Sequence, residues 1–279
     1  MESPENGDRK KVQELVSSLE SLSGKYGRLE NNSSFFVASN DQEYKEVLEE
    51  IKRSLINKTG GVALFIGPGG MFSQLPDLRS DVAMMIDIDP RVLEFNQLLA
   101  NLIERSLNPN EVIQQLTDNE FIMQHPVLRR YTRDGKDEMK DVLVGYIQQE
   151  AIVYGENHWS NPVRFAEVKK ALKNKPIVFI SADIANPKLA DEIKEISEKL
   201  GEPVVFANLT NVHQYIGIEN TISFIEKFPF SKDALIVFSS HVGRIVGDYP
   251  KTRASIGGSN YLSEVQKDLP ETYIIHPHT

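Results

Sequence analysis

Two short apolar runs, each closed by a distinctive turn, constrain the fold of this chain more than any other feature. The first run, residues 62–66, ends in the glycine-rich turn Gly67-Pro68-Gly69-Gly70. The second run, residues 82–86, ends at Asp87, which lies twenty positions after Gly67. In an α/β sheet, this spacing lets backbone amides approach one part of a nucleoside while a carboxylate accepts hydrogen bonds from the ribose hydroxyls. The sequence therefore predicts a nucleoside site at one sheet edge.

Further apolar runs continue this pattern along the chain. Residues 176–180, 204–206, 235–238 and 272–275 are largely apolar, and helical periodicity separates most of these runs. Strands that are apolar throughout are typical of a parallel sheet whose two faces are covered by helices. We therefore predict an α/β fold with a doubly wound, mostly parallel, Rossmann-like sheet and helices on both faces.

The sequence before the first strand predicts a helical N-terminal extension over residues 1–58. Within it we expect disorder over residues 1–8 and helices near 12–22 and 39–55, where apolar side chains recur at helical spacing. The Rossmann-like domain is then expected to occupy residues 59–279.

Residues 104–161 interrupt the alternation of strands and helices. This stretch is polar, mixed and longer than a simple crossover, so we predict a mostly helical insertion between the second and third core strands. Two roles are open for it: a cover over the ligand, or a helical pair with no part in binding.

Composition limits the partners and the location of the protein. The formal net charge of −9 argues against nonspecific binding to nucleic acid, which needs clustered Lys and Arg. The absence of cysteine excludes disulfides, thiolate metal sites and a cysteine nucleophile. Residues 1–11 are polar, and no apolar run approaches the length of a membrane span. We expect a cytoplasmic protein that binds neither membrane nor nucleic acid, with export lacking a classical signal as the alternative.

The glycine turn differs from two common phosphate-binding turns. A dinucleotide fingerprint has a third glycine at its sixth position, where this chain has Phe72. A P-loop continues with Gly-Lys-Ser/Thr, whereas this turn continues with Gly70-Met71-Phe72. The turn therefore disfavours NAD or FAD binding and, more strongly, nucleoside triphosphate chemistry.

Three segments together resemble the successive motifs of class I S-adenosylmethionine-dependent methyltransferases. They are Ile66-Gly67-Pro68-Gly69-Gly70, Ile86-Asp87-Ile88-Asp89-Pro90 and Ser181-Ala182-Asp183-Ile184, and the resemblance covers roughly residues 60–240. It implies S-adenosylmethionine as cofactor, with the glycine turn beside its amino-acid portion, Asp87 at the ribose and Asp183 at the adenine amino group. The cofactor-binding residues that it implies are Gly67, Pro68, Gly69, Gly70, Asp87, Ile88, Asp183, Ile184 and Asn208.

The chain departs from that family at two places. Many members carry an acid two residues before the first glycine, where this chain has Phe65. The spacing from Asp87 to Asp183 is also unusually long, so the role of Asp183 depends on the predicted insertion. Structural roles compete as well, because Asp89-Pro90 and Asn186-Pro187 are both typical helix openings.

The segment after the fourth strand is where this family places its reaction-centre motif. Asn208 matches the first position of the Asn-Pro-Pro-aromatic motif of N-methyltransferases, but the prolines and the adjacent aromatic are missing. We interpret Asn208 as a hydrogen-bonding group in the catalytic site and His213 or Tyr215 as the general base. The competing interpretation is that these residues make local turns and helix caps.

Residues 156–162 contain the only tryptophan of the chain, Trp159. It could line the substrate cleft by stacking on a flat or cationic group. The stronger interpretation is structural, with Asn161-Pro162 capping the following helix and Trp159 packing beneath the insertion. The histidines lack paired metal-ligand spacing and no Gly-x-Ser-x-Gly elbow occurs, so we predict neither a metal nor a serine nucleophile.

The function predicted from the sequence is methyl transfer from S-adenosylmethionine to an unidentified small-molecule or protein acceptor. One alternative is an aminopropyltransferase-like enzyme, whose glycine turn and Asp-x-Asp-Pro segment look similar. That family uses an acid at the end of the fourth strand, where this chain has Asn208. A second alternative is a non-catalytic nucleoside-binding scaffold.

Overall fold

The computed structural model describes most of the chain, in several separate stretches. These are residues 4–27, 49, 51–53, 59–67, 70–129, 145, 147–148, 157–209, 212, 216–240 and 251–256.

The described residues contain one six-stranded sheet in the order β3-β2-β1-β4-β5-β6. Strands β1 to β5 run parallel, and β6 pairs antiparallel with β5. The predicted mostly parallel Rossmann-like sheet is therefore confirmed. The strands are β1 Val62–Ile66, β2 Val82–Asp87, β3 Ile177–Ser181, β4 Val204–Asn208, β5 Phe230–Ser240 and β6 Lys251–Ile256.

Helices connect these strands and cover the sheet. Asp89, Asn161 and Asn186 cap the helices that follow them, as the Asp-Pro and Asn-Pro pairs predicted, and each side chain accepts hydrogen bonds from backbone amides of the first turn. The helices are α1 Pro4–Glu20, α2 Met71–Gln74, α3 Pro90–Arg105, α4 Pro109–Leu116, α5 Asn119–Gln124, α6 Pro126–Arg129, α7 Pro162–Asn174, α8 Pro187–Leu200 and α9 Ile218–Lys227.

The apolar strands bury side chains on both faces of the sheet, which produces two separate cores. On one face, Phe65 and Met85 pack with apolar residues of α2, α3 and α7. On the other face, Leu64 and Met84 pack with residues of α1, α8 and α9. Because successive side chains of a strand point to opposite faces, each run of apolar residues supplies both cores.

The N-terminal helix and the end of the sheet differ from what the sequence predicted. Helix α1 begins at Pro4, so the prediction of disorder for residues 1–8 was wrong for residues 4–8. These polar residues extend a helix whose later apolar side chains, Leu15 and Leu19, are buried in the core. Strand β6 was not predicted, because Lys251–Ile256 contains only two apolar residues and lacks the continuous apolar run that marked the inner strands. The strand predicted at 272–275 lies outside the described residues.

The two long predicted segments are only partly described. Residues 49 and 51–53 are helical and belong to the helix predicted at 39–55, while the rest of that helix lies outside the described residues. The described part of the predicted insertion at 104–161 includes α4, α5 and α6. The division of the chain near residue 58 stays a prediction.

Candidate functional site

The sheet order reverses direction between β1 and β4. Strands β2 and β3 follow β1 on one side, and β4 and β5 lie on the other, so their connecting helices cover opposite faces. At such a point the loops after the two central strands diverge and leave a crevice at the carboxyl edge, which is where open α/β sheets bind ligands. The glycine turn follows β1 at this carboxyl edge.

The described glycines of the turn adopt the conformation that favours glycine. Gly67 has φ 77° and Gly70 has φ 67°, both in the left-handed region that side chains rarely enter. The Gly67 amide donates to the Ile86 carbonyl at 3.2 Å, which ties the start of the turn to the neighbouring strand. Pro68 and Gly69 lie outside the described residues, so their contact with a cofactor stays a prediction.

Asp87 lies beside this turn. It is the last residue of β2, and its Oδ2 atom would lie 3.9 Å from a Cβ atom placed on Gly67. Its other oxygen, Oδ1, accepts from the Asp89 backbone amide at 2.7 Å. The structure therefore brings together the two features that the sequence singled out first: a turn with no side chain at Gly67 and a carboxyl group aimed at it.

Burial dominates the electrostatics of Asp87. Removal from water raises the pKa of this carboxyl to about 7; the hydrogen bond from the Asp89 amide opposes the rise, and the nearby Asp89 carboxylate adds to it. Any ligand that donates hydrogen bonds to this half-buried carboxyl would favour its ionised form over its protonated form. Perturbed carboxyls of this kind are concentrated at functional sites.

The two residues after Asp87 differ in their roles. Ile88 is half-buried, and its predicted cofactor contact stays a prediction. Asp89 is buried, accepts from the Arg91 amide at 2.9 Å and pairs with the Arg91 guanidinium at 2.5 Å. Asp89 therefore begins α3 and is already fully engaged, which leaves Asp87 as the carboxyl that faces the turn.

Asp183 and Ile184 follow β3 at the same carboxyl edge. The Asp183 Oδ1 atom accepts from the Ala185 amide at 2.9 Å, and the Asp183 amide donates to the Tyr26 carbonyl at 2.9 Å. Ile184 is 9% exposed and packs in the core that contains α1. Asp183 is half-buried, and its predicted role at the adenine stays a prediction.

The predicted catalytic residues lie after β4. Asn208 is the last residue of that strand, is paired in register with Phe65 and Val237, and is only 1% exposed. It lies at the carboxyl edge of the sheet, and its predicted role in catalysis stays a prediction. His213 and Tyr215 lie outside the described residues.

Two aromatic features near the site are buried. Phe65 occupies the position where the resembled family often has an acid; it is fully buried, with its ring centroid 5.6 Å from that of Phe206. Trp159 is 5% exposed and belongs to the core beneath α3 and α7, which agrees with the structural interpretation of residues 156–162. Its burial leaves no open face for stacking on a substrate.

The sequence analysis did not predict that residues 23–27 lie against the end of β3. The helix predicted near 12–22 ends just before this segment, and nothing in the sequence pattern pairs the segment with Ser181 and Asp183. The structure does so through hydrogen bonds that join the backbone groups of Ser181 and Asp183 to residues more than 150 positions away.

A separate cleft of about 820 Å³ lies at the opposite, amino-terminal edge of the sheet. Its lining includes Asp81, which precedes β2, Pro176, which precedes β3, and Lys175, whose Nζ donates to the Leu78 carbonyl at 2.8 Å. Burial lowers the pKa of Lys175 to about 8. We place the candidate site at the carboxyl edge, because the glycine turn and Asp87 meet there.

Two further properties concern only the part of the chain that the structure describes. No group of three or more His, Asp or Glu side chains is arranged to hold a metal ion there. Every helix in that part falls short of the length and hydropathy that crossing a bilayer requires.

The fold and the site define a Rossmann-like α/β protein with a candidate ligand crevice at its carboxyl edge. The chain belongs to a family described as a domain of unknown function (DUF7790), whose model matches residues 36–267. A search of curated proteins found no match. Among solved structures, the chain is similar to the rRNA methyltransferase aviRa from Streptomyces viridochromogenes, with 13% identity, a TM-score of 0.35 and coverage of 93% of this chain and 96% of that chain. A likeness of this degree does not extend that protein's activity to this chain.

Proposed function

We propose that the crevice at the carboxyl edge binds S-adenosylmethionine and that the chain transfers its methyl group to an acceptor. The observation that carries the proposal is the meeting of the Asp87 carboxyl with the Gly67 turn, next to the reversal of strand order. In this proposal the ionised Asp87 accepts hydrogen bonds from the ribose hydroxyls, and the glycine turn lies along the amino-acid portion of the cofactor.

S-adenosylmethionine supplies a methyl group that its sulfonium has already activated. The residues of the chain therefore have to hold the cofactor, orient the acceptor and exclude water, with little covalent work. Asn208 offers neutral hydrogen-bonding groups at the end of β4, and His213 or Tyr215 is the proposed general base. We propose a small-molecule or protein acceptor in the cytoplasm.

Calorimetric titration with S-adenosylhomocysteine tests this proposal on the native chain and on Asp87→Ala. We expect the native chain to bind and the variant to lose at least about tenfold in affinity, because a charged hydrogen bond to the ribose contributes about 1.5–3 kcal/mol. Asp81→Ala is the matched control, since Asp81 precedes the same strand at its opposite end. Equal losses in both variants, or no binding by the native chain, contradict the proposal.

The same titration should depend on pH in a defined direction. Because the pKa of Asp87 is raised to about 7, the carboxyl is increasingly protonated as pH falls below that value. A ligand that donates to the carboxylate then binds less tightly, so affinity should fall as pH decreases through about 7 and level off above it. Asp87→Asn removes this titrating group, and its affinity should lose that part of the pH dependence.

A second candidate function is a nucleoside-binding scaffold without catalysis. The observation that favours it is burial: Phe65 is fully buried in place of a charged anchor, and Asn208 is 1% exposed. Binding of S-adenosylmethionine without release of S-adenosylhomocysteine, in the presence of acceptor extracts, supports this candidate. Release that Asn208→Ala abolishes while cofactor affinity is kept supports the enzyme.

A further inference from the structure

The segment after α1 lies along the open edge of the sheet beside the candidate site. We call residues 23–27 the edge clamp. Among the described residues β3 is the terminal strand, so no described strand pairs with its outward backbone groups. The Gly24 amide donates to the Ser181 carbonyl at 2.8 Å, and Ser23 Oγ accepts from the Ser181 amide at 3.0 Å. The edge clamp thus satisfies both backbone groups of the last residue of β3.

The edge clamp continues past the strand to Asp183. The Asp183 amide donates to the Tyr26 carbonyl at 2.9 Å. Gly27 follows with φ 98°, and a Cβ atom placed on it would lie 3.1 Å from the Asp183 Cβ atom. A side chain at position 27 would therefore press on Asp183, and glycine permits the close approach.

Neighbouring side chains hold the edge clamp in place. The Tyr26 hydroxyl donates to the Glu192 carboxylate of α8, and the Lys25 Nζ atom lies 3.7 Å from Glu192 Oε2. The Tyr26 ring is 9% exposed, and the adjoining Leu22 is 1% exposed, in the core that α1 shares with the sheet. The edge clamp is therefore held in place by the buried Leu22 just before it and by the buried Tyr26 within it.

We propose that the edge clamp positions Asp183 for the base end of the bound nucleoside. The Ala182 amide donates to the Asp87 carbonyl at 3.1 Å, so the loop that carries Asp183 begins beside the proposed ribose carboxyl. The clamp holds the Asp183 backbone and the Ala185 amide holds its Oδ1, so the two together set the direction of this carboxylate. This inference rests on the proposed function, and the clamp lies before the residues that the family model matches.

The test compares Gly27→Ala with Gly24→Ala. Both glycines have positive φ, so both substitutions strain the backbone, but only a Cβ at position 27 meets Asp183; at position 24 no described residue has an atom within 4 Å of the added Cβ. Affinity is measured for S-adenosylhomocysteine and for its analogue with hypoxanthine in place of adenine. That analogue lacks the exocyclic amino group that a correctly placed Asp183 accepts from.

We expect the native chain and Gly24→Ala to prefer the adenine ligand, and Gly27→Ala to lose about fivefold or more of that preference. A purely structural role would weaken both ligands equally and leave the ratio unchanged. Ser23→Ala, which removes the bond to Ser181, provides a milder variant if Gly27→Ala does not fold, and the same direction is expected.

The outcomes separate this inference from the proposed function. If the native chain binds neither ligand, both are wrong. If it binds S-adenosylhomocysteine but Gly27→Ala and Ser23→Ala keep the full preference for adenine, only the role of the edge clamp is wrong. Faster hydrogen exchange of the Asp183 amide in Gly27→Ala, together with a reduced preference, supports the inference.

Discussion

Asp87 and His158 illustrate how burial alone changes what a residue does in this chain. Asp87 lies beside the glycine turn, and burial is the largest cause of its raised pKa. His158 is fully buried; its ring centroid lies 4.4 Å from that of Trp159, and its Nδ1 lies 3.3 Å from Ser73 Oγ. Burial therefore raises the pKa of the carboxyl and lowers the pKa of the imidazole.

His158 should make the protein sensitive to acid. Burial, with a smaller contribution from the Arg164 charge, lowers the pKa of His158 from 6.5 to about 3. The unfolded chain therefore binds a proton that the folded chain refuses between those values, so stability contributed by the neutral ring is present above pH 6.5 and is lost as pH falls toward 3. This titration by itself lowers the free energy of unfolding by up to about 1.4 kcal/mol per pH unit as pH falls through the window, whereas the raised pKa of Asp87 acts in the opposite direction below about pH 7.

Urea unfolding at about pH 5 and about pH 7 measures this effect. His158→Leu removes the titrating ring, so the unfolding free energy at about pH 5 relative to that at about pH 7 should be higher in the variant than in the native chain, whatever the variant loses in packing. Identical pH dependence in both proteins would show that another group is responsible.

At the scale of elements, close packing between the residues that lead into β1 and β4 limits which substitutions the chain tolerates there. Gly61 leads into β1 with φ 75°, and a Cβ atom placed on it would lie 2.5 Å from the Pro203 carbonyl oxygen and 2.8 Å from Val205 Cγ1. The Glu202 carboxylate also accepts from the Gly61 amide at 2.9 Å. The segment that leads into β1 therefore packs so closely against the start of β4 that position 61 has no room for a side chain.

Gly61→Ala should destabilise the fold by about 1–3 kcal/mol more than Gly201→Ala. Both glycines have positive φ, but among the described atoms a Cβ on Gly201 would approach only the Lys11 Nζ atom, at 4.0 Å, and a flexible side chain yields easily. Chemical unfolding of the two variants measures the difference. Equal losses would mean that the entry of β4 moves aside to admit the methyl group.

Over the whole molecule, α1 is part of the core. Leu15, Leu19 and Leu22 are each 1% exposed and share a cluster with Val178 and Ile180 of β3. The same helix leads into the edge clamp, so its packing also fixes the position of residues 23–27 at the carboxyl edge. The integrity of the candidate site is thus linked to the N-terminal helix.

Leu19→Ala should destabilise the protein by about 2–5 kcal/mol, because it opens a cavity between α1 and the sheet. Leu107→Ala, at a position that is 82% exposed, is the control and should change stability by less than about 0.5 kcal/mol. Thermal and chemical unfolding both report these values. A negligible effect at Leu19 would indicate that α1 separates from the sheet in solution.

Most of the sheet was predictable, because each inner strand carries its own signal. Residues 62–66, 82–86 and 204–206 are apolar throughout, and burial on both faces requires that pattern wherever the strand lies in the fold. Asp89, Asn161 and Asn186 were recognisable as helix caps, since capping involves only the next three residues. The pairing of the glycine turn with Asp87 also followed from order and spacing.

The amino-acid sequence by itself thus determined the parallel α/β sheet, its helix openings and the two residues, Gly67 and Asp87, that mark its carboxyl edge. Only the tertiary structure decided that Asn208 and Phe65 are buried, that β6 closes one side, and that residues 23–27 hold Asp183. The physical reason is range: periodicity and capping act over a few residues, whereas Ser23 and Ser181 meet across 158 positions and leave no periodic trace in the sequence.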